Sequence, residues 1–151
     1  MRYKSFFFIF IIFIAGMSIY FIINPSYERS IEAKYYYEIG DYEEAYKIAK
    51  EAFEIDTYNK MATTIMTQSK LSLRYVNYIK DAKKYLNEIQ DFISTDEIND
   101  AQKAKIRTIA KIMIDSYKKL APSVAVDKKL IKEAEIYREK FKNILQKAYN
   151  G

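Results

Sequence analysis

The sequence predicts an all-α protein: one long apolar helix, then about three antiparallel helix pairs. Three observations carry this. Glycine occurs three times and proline twice in 151 residues, too few for the turns and corners of a sheet protein. Apolar residues recur at steps of three and four through most of the chain after Pro25. The first 23 residues hold an uncharged run that stands apart from everything after it.

That run, Phe6 to Ile23, has 18 residues without a charge. At about 1.5 Å per residue it would span roughly 27 Å, close to the hydrocarbon thickness of a bilayer. A cleaved signal peptide would show a shorter apolar core and a small-residue cleavage site. Here the apolar stretch continues past Ala15-Gly16 to Ile23, so an uncleaved transmembrane anchor is expected over residues 1–25. Arg2 and Lys4 precede it, while Arg29 and Lys34 beyond it are diluted by Glu28, Glu32 and Glu38. Positive charge before the span places the N-terminus in the cytoplasm and residues 26–151 in the periplasm of a bacterium, as a single-pass inner-membrane protein.

Helical periodicity then sets the order. A first helix is expected over about Tyr27 to Ile39, broken by Gly40-Asp41, and a second over Tyr42 to Ile55. A third covers Lys60 to Tyr75 and a fourth Asn77 to Ile93, where Ile79, Ala82, Leu86, Ile89 and Ile93 draw one stripe. Ser94 to Glu97 reads as a capping box opening a fifth helix that ends near Leu120, before Ala121-Pro122. Asp127 can cap a sixth, running to about Tyr149. On that last helix Leu130, Ala134, Tyr137, Phe141, Ile144 and Ala148 form a heptad-like seam, read as packing against the fifth helix.

Composition removes much chemistry. There is no histidine and no cysteine. The commonest general base, the commonest transition-metal ligands and every disulfide are therefore missing. No glycine-rich loop offers a phosphate cradle. The adjacent carboxylates Glu43-Glu44 and Asp96-Glu97 cannot converge on one helix face; they suit helix starts. The expectation is a protein that is not an enzyme, with no cofactor and no metal.

Charge is uneven. Residues 26–59 carry nine acidic and four basic side chains, residues 60–93 three and six, and residues 94–151 eight and thirteen. An acidic stretch followed by basic ones suits contacts with other proteins or head-to-tail contacts, so a homo- or hetero-oligomer is expected. Basic residues alone give no reason to expect nucleic acid, which the exported placement also disfavours.

One stretch, Tyr35 to Asn59, has a recognisable pattern. Gly40 sits between two helical runs, small residues Ala45, Ala49 and Ala52 line the second, and Tyr36 and Tyr42 flank the break. This resembles the tetratricopeptide repeat, a helix-turn-helix unit of about 34 residues. The match covers residues 26–59, with Ala45 at the signature alanine. Ala33, Tyr36, Gly40, Tyr42, Ala52 and Ile55 fall on the other small, aromatic and aliphatic positions. Arg29, Glu32 and Ala49 depart from it. Residues 60–93 would be a degenerate second repeat with Ala82 in the alanine's place. The resemblance implies a concave surface lined by Tyr27, Ser30, Lys34 and Tyr37, and a role in holding other proteins. With the anchor, that means a scaffold subunit of a bacterial envelope complex, for which an accessory ring of the flagellar motor is one candidate. A translocon-associated chaperone-like factor shares the same plan.

Overall fold

The computed structural model describes residues 2–94, 98–120 and 123–150, with the side chains of 2–5, 20–23 and 150 left aside. Six helices follow in order among the described residues: α1 (Arg2–Ile23), α2 (Pro25–Glu38), α3 (Tyr42–Ile55), α4 (Lys60–Ile93), α5 (Asp100–Lys118) and α6 (Lys128–Asn150). They form two compact units, Met1–Lys70 and Leu71–Gly151, with the boundary inside α4.

Two expectations are corrected. The first is the transmembrane anchor, and with it the inner-membrane, N-terminus-inside placement. Among the described residues, no helix is long and apolar enough to cross a membrane.

The second concerns the three helix pairs. Lys60 to Ile93 is one helix of 34 residues, not a hairpin. Neither glycine nor proline interrupts it, and Tyr75, Tyr78, Ile79 and Ala82 continue a single buried face across the expected break near Val76-Asn77. The fold is all-α, with a hairpin (α2–α3), a long helix and a second pair (α5–α6).

In the first unit, Asn24 caps α2 by accepting the Ser26 amide at 3.0 Å, with Pro25 in the first helical position. The α2–α3 turn needs Gly40. Its φ is +86°, and the Asp41 and Gly40 amides donate to the Tyr36 and Tyr37 carbonyls at 2.9 and 3.2 Å. These two bonds make a Schellman end, which any side chain at Gly40 would strain. Asp41 then caps α3, accepting the Glu44 amide. Ala33, Ala45 and Ala49 are fully buried between the helices, and Ile48 of α3 and Ile65 of α4 complete the cluster. Alanines at these positions keep the packed backbones close.

The second unit is built on the rest of α4 with α5 and α6. Its core holds Tyr75, Tyr78, Ile79, Ala82, Ile89, Ile106, Ile109, Ala110, Met113, Ala134 and Phe141. The α6 seam is spent in this packing: Ala134 and Phe141 are fully buried, and Leu130, Tyr137, Ile144 and Ala148 pack around them. At the surface Lys105 pairs with Glu88 at 2.7 Å and Lys83 with Glu133 at 3.0 Å. Arg107 Nε donates to the Ala148 carbonyl at 2.9 Å. Tyr78 stacks edge-on to Tyr117, and burial pushes its phenol up to about 12, with the neighbouring Tyr117 adding to the shift.

The start of α5 also differs from expectation. Residues 95–97 of the Ser94–Glu97 box lie outside the described residues. Ser94 itself donates its hydroxyl back to the Asp91 carbonyl. The capping box is built by Asn99 and Gln102, which bond reciprocally at 2.8 and 2.9 Å. Asp127 accepts the Lys129 amide at 2.8 Å where α6 begins.

Candidate functional site

The first unit holds a groove of about 410 Å³ between α2 and the opening turns of α4. What sets these two helices against each other is a buried polar network. Asn59, fully buried, accepts the Met61 and Ala62 amides at 3.0 and 3.2 Å and so caps α4. Its amide nitrogen donates to Ser26 Oγ at 2.8 Å and Ser30 Oγ at 2.9 Å, both on α2. Ser26 Oγ donates onward to the Ala52 carbonyl of α3, and Ser30 Oγ to the Ser26 carbonyl, each at 2.8 Å. All four hydrogen-bonding positions of the Asn59 amide are occupied. A satisfied network in a dry site favours one arrangement over its neighbours, because any shift leaves a buried polar group unpaired.

Lys34, Tyr37 and Glu38 of α2 and Lys60, Met61, Thr64, Ile65 and Gln68 of α4 line the groove. Ile65 is 4% exposed and forms floor, and Met61, 37% exposed, stands at its side. Tyr37 packs against the Ala33–Ile65 cluster and meets Tyr42 edge-on, with centroids 5.3 Å apart. Lys34 reaches Glu38 at 3.6 Å across an exposed turn, a contact that adds little to stability. Among the described residues Lys60 enters no ion pair, so the rim carries one cation in excess.

Of the four positions that the resemblance puts on a binding face, Lys34 and Tyr37 line the groove. Ser30 lies beneath it, fully buried in the Asn59 network, and Tyr27 is half-buried. Among the repeat positions, Ala33, Ala45 and Ala52 are fully buried, and Tyr42 is 9% exposed. Tyr36 is half-buried against the cluster, Gly40 holds its positive φ, and Ile55 is 53% exposed. The α4 half of the groove went unread in the sequence. The available signal was Asn59 directly before a helical run, with serines one turn apart at Ser26 and Ser30.

The groove lining contains an ammonium pair, one carboxylate, a phenol, a hydroxyl and an amide. Among the described residues, no group of three or more acidic side chains is placed to hold a metal ion. No protein-family model matches the chain, and no curated protein or solved structure matches it either.

Proposed function

We propose that the protein is a binding module of tetratricopeptide-like design whose α2–α4 groove holds a segment of another protein. The observation that carries this reading is the groove itself: an apolar floor at Ile65 with Tyr37 and Met61 beside it, under a polar rim with a surplus lysine. Such grooves take a peptide or helix by seating one or two apolar anchors and fixing direction with a charged group. The fitting segment carries an aliphatic or aromatic anchor for the floor and a carboxylate for Lys60. A scaffold role follows, in which the partner is fixed and stoichiometric.

Filling the groove from its exposed side tests this. Met61→Arg and Thr64→Arg add bulk and charge without touching the Ala33–Ile65 cluster. Binding of the stoichiometric partner to the full chain is expected to weaken at least about a hundredfold, the loss typical of a blocked central anchor, with an unchanged melting temperature. Undiminished binding by both variants would remove the groove from the account.

A further inference from the structure

Two exposed features outside the groove match each other. The first is on α2, where Ile31 and Tyr35 are 63% and 60% exposed one turn apart, followed by Ile39 at the helix end at 59%. At helical spacing, Glu28 heads this stripe one turn before Ile31, and Glu32 flanks it on the side away from the groove, 3.9 Å from Arg29 in an exposed contact of little strength. The α2–α3 stretch around it is the acidic part of the chain, nine carboxylates against four cations over residues 26–59.

The second is a cleft of about 350 Å³ in the other unit. Ile93, Ile98, Ile106 and Ile144 line it, with Lys103 and Lys147 among its walls. Ile93 is 57% exposed, so apolar surface there is open to water. Among the described residues neither lysine enters an ion pair, although Lys105 nearby is held by Glu88. The cleft lies in the basic part of the chain, thirteen cations against eight carboxylates from Ser94 onward.

We propose that copies of this chain associate head to tail, with the Ile31–Tyr35–Ile39 stripe of one copy seated in the isoleucine cleft of a second. Glu28 and Glu32 then face Lys103 and Lys147. Helix-in-groove contacts read apolar residues at steps of four, and this stripe has that spacing. Opposite charge around an apolar centre fixes register and speeds encounter. The contact is heterologous, since the two surfaces differ, so each copy offers one free surface of each kind. The stripe residues Ile31, Tyr35 and Ile39 are not among those that line the proposed partner groove.

The test uses the full chain, kept dispersed by a mild nonionic detergent, in sedimentation velocity. Glu28→Lys with Glu32→Lys makes a stripe variant; Lys103→Glu with Lys147→Glu makes a cleft variant. Wild type is expected to form oligomers that weaken at least about tenfold between about 0.05 M and about 0.5 M salt. Each variant alone is expected to be monomeric. A mixture of the two forms oligomers in which the variants alternate, because an intact stripe meets an intact cleft at one junction and a reversed stripe meets a reversed cleft at the next. All four changes in one chain restore oligomers by reversing both partners. Monomeric wild type overturns the proposal. So do variants that associate like wild type, as they would if the apolar α1 drove association, and so does failure of both the mixture and the four-fold change to restore contact.

Discussion

Replacing Phe141 with alanine lowers the stability of the α4–α5–α6 unit by about 3–5 kcal/mol, the range for emptying a packed aromatic site. Phe141 is fully buried and, among the described residues, is the largest side chain so placed. It sits at the centre of the α6 seam, between Ala134 and Ala148, with Tyr137 and Ile144 packed in the same cluster. Neighbouring alanines cannot grow into the space, so little of the cavity collapses. Ile136, on the same helix but 48% exposed, is the control; Ile136→Ala shifts stability by no more than about 0.5 kcal/mol. Hydrogen exchange by mass spectrometry on the full chain reads both. Peptides from α5 and α6 lose protection in the first variant and keep it in the second. Equal effects would mean that α6 does not present the face described.

The second large effect is at Asn59. Asn59→Leu removes the α4 cap, worth about 1 kcal/mol, and two buried side-chain hydrogen bonds of about 1 kcal/mol each, for a loss of about 3 kcal/mol. Asn59→Asp separates the two contributions. Aspartate is as good a cap as asparagine, so a residue that only capped would tolerate the change. In the network, a carboxylate oxygen replaces the amide donor and faces Ser26 Oγ and Ser30 Oγ, which already donate to the Ala52 and Ser26 carbonyls. Those bonds must break or a buried charge goes unpaired, so Asp also destabilises, by more than about 1 kcal/mol. Denaturant midpoints of the full chain, with exchange in α2 and α4 peptides, measure it. A neutral Asn59→Asp would reduce Asn59 to a cap and leave the groove walls without their tie.

The parts of this fold that could be read from sequence are those fixed by local rules. Gly40 announces a left-handed turn because other residues resist positive φ, and the structure puts it at +86°. The α6 seam was legible because its spacing of three and four has one packing solution. What escaped depends on choices between similar local signals. The periodicity places a helix-to-helix break near Asn77, yet neither glycine nor proline stands there, and α4 runs on. Ser94–Glu97 and Asn99–Gln102 both satisfy the capping-box pattern, and the second opens α5. The Phe6–Ile23 run has a composition that fits a bilayer, whereas among the described residues no helix is long and apolar enough to cross one. The groove was half visible: Lys34 and Tyr37 followed from the repeat resemblance. Met61, Thr64 and Gln68 depend on how Asn59 seats α4 against α2, a long-range bond that no periodicity encodes.

The claim that the α2–α4 groove holds a partner is tested most directly by site-specific photocrosslinking in cells that make the full chain. A photoreactive residue is placed at Thr64, inside the groove, or at Ile112, which is 52% exposed on α5. The account predicts one discrete adduct from Thr64, lost when Met61→Arg is added, and no adduct of that mass from Ile112. The same adduct from Ile112 and none from Thr64 would contradict it.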